Sequence, residues 1–360
     1  MKIAVLLSGG VDSSVALQLL KNEGHDVRAF YLKIWLEDEL AYLGDCPWEE
    51  DLRYAQATCT QLNVPLSIIP LQKEYWDTVV AYTIAEVKAG RTPSPDIMCN
   101  QRVKFGFFLQ KIDGSFDKIA TGHYASLARH NGLWQLLKAK DPIKDQTYFL
   151  SALNQQQLSR LVFPIGTLLK TEVRALAQQY NLPTMARKDS QGICFLGKIK
   201  FSDFIRHHLG TQDGDLIEFE TGQKLGTHEG FWYSTIGQRK GLGLSGGPWF
   251  VVSKDTQQNI VYISNRYYTP DKQRNQFAIA AAHWIAGTPP PPDTALEGKI
   301  RHGEHCYPCT IALNNAHEGV VTIQGNDQGL APGQFAVFYA NDVCLGSAVI
   351  AQESGDETIP

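Results

Sequence analysis

Three short segments carry residues whose types and spacing could do chemistry. In Ser8-Gly-Gly-Val-Asp-Ser13, two glycines and several hydroxyls lie where an apolar run, residues 3–7, meets a helical pattern. Glycines let a backbone approach an anion closely, and the amides of a helix start point at it. Ser8, Ser13 and Ser14 add donors, so the segment reads as a phosphate cradle. Asp12 would repel phosphate, which predicts a magnesium ion between the two. The second segment is Gly90-Arg-Thr-Pro-Ser-Pro-Asp-Ile-Met-Cys-Asn-Gln-Arg-Val-Lys-Phe105. Its prolines hold the chain extended up to Asp96. Asp96 and Cys99 are three apart, so one helical turn brings them to one face. A carboxylate beside a thiol can serve as its base. Arg91, Arg102 and Lys104 favour a thiolate and attract phosphate. The third, Asp189-Ser-Gln-Gly-Ile-Cys-Phe-Leu-Gly197, holds Cys194 in a polar loop. Two thiols of this kind suit sulfur transfer. One carries a terminal sulfur, and the other attacks the inner sulfur and leaves a disulfide.

These segments need a scaffold, and the first half of the chain supplies one. Residues 3–7, 27–31, 66–69 and 118–121 read as strands, while 12–22 and 51–62 read as helices with apolar residues at helical spacing. Strands alternating with helices imply a doubly wound, mostly parallel α/β sheet, which binds ligands at its carboxyl edge. After about residue 200 the pattern becomes alternating. Residues 214–220, 249–252 and 260–263 predict a small β-rich piece. Beyond the proline run 289–292, the segments 299–301, 309–313, 319–323, 334–339 and 347–350 suggest a small barrel or sandwich, of which a C-terminal β-barrel is the expectation. The expected division is 1–203, 204–272 and 273–360.

Composition sets outer limits. The chain has 360 residues, is 43% apolar and 19% charged, and carries a net charge of −4. That is a globular composition with no apolar run long enough to span a membrane. Met1-Lys2 leads straight into a strand-like run with no signal-peptide pattern, so the expected location is cytoplasmic. Seven cysteines do not form a disulfide framework. The net charge speaks against RNA, but residues 187–208 and Gly237-Gln-Arg-Lys-Gly-Leu-Gly243 are locally basic, and phosphates respond to the local patch. Gly-x-x-x-x-Gly-Lys-Ser/Thr is absent, which argues against a Walker-type NTPase.

The Ser8–Ser13 hexad resembles the pyrophosphate loop of the adenylating ATPases, which leave AMP on an oxygen. Together with Ala120-Thr-Gly-His-Tyr-Ala125 and Lys144-Asp-Gln-Thr-Tyr-Phe-Leu150, the three segments resemble the bacterial tRNA-specific 2-thiouridylase family. The resemblance runs in the family's order along essentially the whole chain. It implies that Leu7, Ser8, Gly9, Gly10, Val11, Asp12, Ser13 and Ser14, with Leu32 and Gly122, bind ATP. It implies Cys99 as nucleophile, Cys194 as the persulfide-bearing cysteine and Asp96 as an acid/base group. Ser94, Pro95 and Asp96 match a segment that reads the target base. Lys144, Asp145 and Gln146, and Arg301 with His302, match tRNA contacts. Two positions depart from the family: Ser94 stands where Asn is usual, and His302 where Tyr is usual.

The resemblance implies adenylation of carbon 2 of the wobble uridine, then sulfur transfer, giving 2-thiouridine, AMP and pyrophosphate. The cofactors are ATP and Mg2+, held by no protein cage, with no flavin or nicotinamide. The partners are the tRNA anticodon stem-loop and a sulfur donor, either a cysteine desulfurase or a relay protein, and the chain is expected to be monomeric. An adenylating ligase with an amine nucleophile would need no cysteine pair. A plain RNA-binding module would need no phosphate loop. Weaker signals remain. His302-Gly-Glu-His-Cys-Tyr-Pro-Cys309 has metal-binding residue types, but its spacing is not that of a zinc finger. Cys59 reads as core. His123 could face a nucleotide, and Trp232, Trp249 and Trp284 read as core before stacking platforms.

Overall fold

The computed structural model describes residues 1–34, 48–189, 200–270 and 274–351. Cys194 and Cys46 lie outside the described residues. The first strand, β1 (Lys2–Leu6), is buried along nearly its whole length. Alternation sends its side chains to opposite layers. Ile3, Val5 and Leu7 pack with Val15 and Leu20 of α1 (Val11–Asn22). Ala4 and Leu6 join the opposite layer with Tyr75, Val79, Phe105 and Phe108. A strand covered on both faces reads as a continuous apolar run, as residues 3–7 do.

The sheet continues with β2 (Asp26–Lys33), α2 (Trp48–Leu62) and β3 (Leu66–Pro70). Then come α3 (Ala81–Lys88), α4 (Pro95–Met98) and β4 (Lys118–Ala120). The hairpin β5 (Ser126–His130) and β6 (Leu133–Leu137) leaves the sheet, and β7 (Leu161–Val162) returns to it. The sheet order is β3-β2-β1-β4-β7, all parallel. Helix α5 (Lys170–Gln179) covers the same face as α1 and α2, through Val173 and Ala177. This is the expected doubly wound α/β domain.

Helix α6 (Phe201–Leu209) leads into the middle sheet. That sheet comprises β8 (Gly214–Glu218), β9 (Lys224–His228), β10 (Phe250–Asp255) and β11 (Ile260–Ser264), in the order β10-β11-β8-β9. The last part holds β12 (Gln276–Trp284), β13 (Leu296–Lys299), β14 (Tyr307–Leu313), β15 (Gly319–Ile323), β16 (Phe335–Ala340) and β17 (Val343–Ile350). Pairing of β12 with both β15 and β17 closes these six antiparallel strands into a barrel.

Two features differ from the sequence expectation. The strand expected at 299–301 ends at Lys299, so Arg301 and His302 stand beyond it in a bend. The hairpin β5–β6, contributed by the first half of the chain, pairs with the barrel through Leu137↔Val343 and Leu136↔Cys344. The barrel is thereby stitched onto the α/β domain by backbone hydrogen bonds. Among the described residues no helix is long and apolar enough to cross a membrane.

Candidate functional site

The phosphate loop follows β1 at the carboxyl edge of the sheet. Leu7 is still sheet-bonded, its N–H donating to the Phe30 carbonyl at 2.9 Å. Gly9 has φ +75°, and a Cβ there would lie 2.2 Å from the Asp51 carbonyl oxygen. Only glycine fits that conformation and that approach. Ser13 Oγ donates to the Gly10 carbonyl at 3.2 Å and accepts from the Ser8 amide at 3.2 Å. Ser14 Oγ also donates to the Gly10 carbonyl, at 2.9 Å. The turn is thus folded around its own hydroxyls. Gly122, just past β4, lies against the first turn of α1, where a Cβ would be 2.6 Å from Ser13 N. Val11 is buried, and Leu32 sits on β2 opposite Ile69.

The charge of Asp12 is answered by the protein. Lys170 Nζ, at the start of α5, donates to both its carboxylate oxygens at 2.7 and 2.9 Å, and Tyr124 Oη donates to Oδ1 at 2.9 Å. The sequence reading placed magnesium beside Asp12 because phosphate and carboxylate repel. Lys170 offsets part of that repulsion. Lys170 also pairs with Asp189 at 2.9 Å, which in turn binds Lys144 at 2.8 Å and Arg174 at 2.5 Å. Burial alone would raise the Asp189 carboxyl, but Lys144 and Lys170 hold it well below the usual carboxylate range. On the other side of the loop, Arg187 donates to the Gly9 carbonyl and to Asp51, both at 2.7 Å.

The cysteine segment is built differently. Pro95 opens α4, the place where a missing amide proton costs nothing. The Cys99 amide bonds back to the carbonyls of Asp96 and Pro95, so Asp96 and Cys99 do share one helical turn. From Cys99 to Phe107 the helix widens into π geometry, a form that recurs at functional sites. The polar environment expected for Cys99 is corrected. The residue is 1% exposed and belongs to an apolar cluster with Ile97, Met98, Val103 and Phe105. Of the segment's arginines, Arg91 forms a two-point pair with Glu86 at 2.8 and 2.6 Å, and Arg102 is exposed.

The two segments meet at the carboxyl ends of β1 and β4. The His123 ring, one residue beyond Gly122, packs 6.0 Å from Phe105 of the π segment, and its Nδ1 is 2.8 Å from Thr121 Oγ1. Burial and the Lys104 ammonium push its pKa well below the ordinary value. It is a neutral wall between the loop and the cysteine segment.

Residues from three parts of the chain surround Ser94–Asp96. The Ser94 amide donates to Tyr82 Oη at 3.3 Å, and the Thr92 amide to the Pro332 carbonyl at 2.7 Å. His302 stacks on Phe149 with centroids 4.5 Å apart. Burial and Lys299 lower its pKa, while Asp145 and Asp96 pull the other way, so the 302 corner and Asp96 feel each other's charge. Arg301 pairs with Asp327. Asp145 is buried, accepting from the Ala139 amide at 3.0 Å and from Thr147 Oγ1 at 2.8 Å. Gln146 Oε1 accepts from the Tyr124 amide at 3.0 Å. Of residues 144–146, Lys144 and Gln146 are half-buried and Asp145 is buried, and the bonds of Asp145 and Gln146 hold the loop together.

Cys194 belongs to residues 190–199, outside the described residues, so its separation from Cys99 has no place in this geometry. The 302–309 cluster is dispersed: Cys309 lies in the barrel core and His302 against Phe149. Cys59 is core, with burial pushing its thiol up to about 11. Trp284 is core too, donating to the Ala316 carbonyl at 3.1 Å. Lys170, Tyr124 and Asp51 were not singled out from sequence. Tyr124 lay inside a quoted motif, whereas an isolated lysine at a helix start gave no signal.

A parallel sheet with a glycine-rich loop at the carboxyl end of its first strand defines a nucleotide-binding domain of the HUP class. A family model described as the tRNA methyl transferase HUP domain matches residues 1–198. A PRC-barrel model of the same series matches 202–265, and an aminomethyltransferase beta-barrel model 274–350. A tRNA-specific 2-thiouridylase, MnmA 1, of Bacteroides thetaiotaomicron is 46% identical over 357 residues, covering 98% of this chain and 100% of that one. An MnmA 2 of Bacteroides fragilis is 48% identical over 356 residues, covering 97% and 100%. The MnmA of Porphyromonas gingivalis is 46% identical over 368 residues, covering 98% and 99%. The chain belongs to the tRNA-specific 2-thiouridylase family.

Proposed function

We propose that the chain is an ATP-consuming sulfurtransferase that converts the wobble uridine of tRNA to 2-thiouridine. The observation that carries this reading is the meeting of a phosphate loop and a cysteine-bearing π segment at one edge of the sheet. Methyl transfer, which the description of the family model names, would use neither a phosphate loop nor a cysteine of this kind.

In this mechanism ATP lies with its phosphates on residues 7–14, under Gly122, and its adenosine beside Leu32. The loop amides stabilise negative charge on the phosphates, and Lys170 lowers the repulsion from Asp12. The anticodon stem-loop presents a splayed uridine to Ser94–Asp96, as recognition of single-stranded RNA favours. The carbon-2 oxygen attacks the α-phosphate and pyrophosphate leaves, so that AMP becomes the leaving group on a carbonyl otherwise too unreactive for substitution. Asp96 takes or gives the proton. Cys194 carries a sulfane sulfur from a donor protein. Cys99 thiolate attacks the inner sulfur, a Cys99–Cys194 disulfide forms, and the terminal sulfur keeps the electron pair with which it displaces AMP from carbon 2. An external dithiol then reduces the disulfide. Magnesium enters with the ATP phosphates, and no protein cage is assigned to it. Lys144, Arg301 and His302 contact the tRNA, while Asp145 and Gln146 position Lys144.

The test combines unmodified tRNA, ATP, magnesium and a 35S-labelled sulfane donor. The expected products are labelled 2-thiouridine and AMP in equal amounts, with label lost in Cys99→Ala and in Cys194→Ala. Labelling without AMP release removes the adenylation step; label retained in either variant removes the cysteine roles.

A further inference from the structure

A cavity of about 120 Å³ opens between the base-reading loop and the middle sheet, lined among others by Arg91, Thr92, Pro93, Trp232, Thr235 and Lys254. Lys254 comes from β10. Its ammonium reaches across to the α/β domain, donating to the Gly90 carbonyl at 2.5 Å and to the Ser234 carbonyl at 3.0 Å. Two neutral carbonyls are its only hydrogen-bond partners among the described residues, and no described carboxylate pairs with it. A desolvated cation without a counter-charge is costly, and burial lowers its pKa to about 8. Lys299 makes the contrast: buried more deeply than the half-buried Lys254, it has Asp145 at 3.9 Å. Ammonium has three protons, and the two carbonyls take two. Arg91 uses Nε and Nη2 on Glu86, and among the described residues Nη1 makes no hydrogen bond. Thr92 and Thr235 bring hydroxyls to the same wall.

The cavity also adjoins the base-reading loop, for Arg91, Thr92, Pro93 and Pro95 line it. Gly90 to Pro95 is one continuous stretch that ends in Ser94–Asp96. It is clamped from two sides: Thr256 would be 2.5 Å from a Cβ at Gly90, and the Thr92 amide bonds to the Pro332 carbonyl at 2.7 Å. The stretch therefore cannot swing away when a base occupies its end. We propose that the cavity at Lys254 binds one backbone phosphate of the nucleotides flanking the target uridine, with Lys254 supplying the charge and Arg91, Thr92 and Thr235 the further donors. The phosphate completes an ion pair that the protein alone leaves open, and it fixes the strand beside the reading loop. The proposal rests on the tRNA reading above and adds the group that holds the strand.

The test is salt-dependent binding of an unmodified anticodon stem-loop, followed by fluorescence anisotropy. Lys254→Met is expected to weaken binding about tenfold, as loss of a charged hydrogen bond does. Its plot of log affinity against log salt should be shallower by about 0.7, the value for one single-strand phosphate. Lys254→Arg should restore the slope. Melting temperature and ATP binding report whether each variant is folded. A second arm needs no variant: stem-loops carrying one neutral methylphosphonate at each position flanking the uridine are bound to the wild type. One position should reproduce the loss of Lys254→Met and add nothing to it.

A Lys254→Met protein with weaker binding but an unchanged slope would overturn the proposal in favour of a purely structural latch. Equal binding of every methylphosphonate RNA, with inorganic phosphate raising the melting temperature of the wild type but not of Lys254→Met, would overturn it in favour of a free-anion site. Failure of the wild type to bind the stem-loop at all would instead strike the tRNA reading itself.

Discussion

The phosphate loop and the cysteine segment are linked through Gly122 and His123 after β4, yet they are held by opposite means. The loop is held by charge and by its own hydroxyls. Lys170, Asp189 and Arg187 surround it, and Ser8, Ser13 and Ser14 close the turn. The cysteine segment is held by apolar burial and by neighbours from distant parts of the chain: Tyr82 on one side, Pro332 of the barrel approach on another, Lys254 of the middle sheet on a third. A polyanion as mobile as ATP can dock on a preformed polar cradle. A thiol that must meet a single base needs a position fixed by several bodies at once, and an enclosing wall that keeps water from competing.

The largest effect should separate the two regions cleanly. Cys99→Ala is expected to drop 2-thiouridine formation to background while leaving ATP affinity, measured by equilibrium dialysis, at the wild-type value. Weaker ATP binding in this variant would mean that the cysteine segment also builds the ATP site, and the contrast would fail.

Lys170→Met attacks the other side. It removes a cation bonded to Asp12 and paired with Asp189. We expect ATP binding weakened by about 2 kcal/mol, the range for charged hydrogen bonds, and RNA affinity unchanged. Lys170→Arg should recover part of the loss, because its charge survives while its fork suits Asp12 less well. An equal loss of RNA affinity would join the two regions into one.

Gly9→Ala is next. The backbone at +75° and the Asp51 carbonyl 2.2 Å from the added Cβ leave no unstrained solution. A destabilisation of about 1–3 kcal/mol is expected. Calorimetry should see it as a lower melting temperature, accompanied by weaker ATP binding.

How much of this was visible in the sequence follows the same division. The phosphate loop is a local object: its glycines, serines and flanking strand lie within a dozen residues, so residue types alone disclosed it. The turn joining Asp96 and Cys99 was also local. The burial of Cys99 was not, because the cluster it joins draws on distant residues such as Tyr148, Leu150 and Val337 as well as on its neighbours in the chain. The Lys170–Asp12 pair spans 158 positions, and one lysine carries no pattern. Strand β12 escaped notice for a different reason. Its register shifts between Ala280 and His283, and Ala281 has φ +50°, so the two-residue alternation breaks inside it. The hairpin β5–β6 lay in a part of the chain whose alternating texture was masked by the surrounding α/β pattern, and its partner residues, Val343 and Cys344, lie near the far end of the chain.

A smaller effect concerns pH and the loop's ion network. The Asp189 carboxyl is depressed in the fold, so the unfolded chain takes up its proton at higher pH than the native one. The stabilisation it gives is complete above the unfolded value of about 3.9 and is lost as pH falls through the lower native value. Asp189→Asn should therefore be less stable than wild type in urea at pH 7, with the gap closing below about pH 4. A gap that stays constant across that range would show that the carboxylate's charge does not hold the network.

The smallest expected effect lies at His302, on the cysteine side. Its ring stacks on Phe149 at 4.5 Å, and burial with Lys299 keeps it largely neutral. It therefore acts at neutral pH as an aromatic surface more than as a cation. His302→Ala should lose about 0.5–1.5 kcal/mol of stacking, read as weaker stem-loop binding with an unchanged salt slope. His302→Tyr, which restores the residue usual in the family, should bind at least as well as wild type. A salt slope that falls in His302→Ala would mean that the ring is protonated when RNA is bound. The cysteine side would then recruit charge only on binding, whereas the phosphate loop carries its charge from the start.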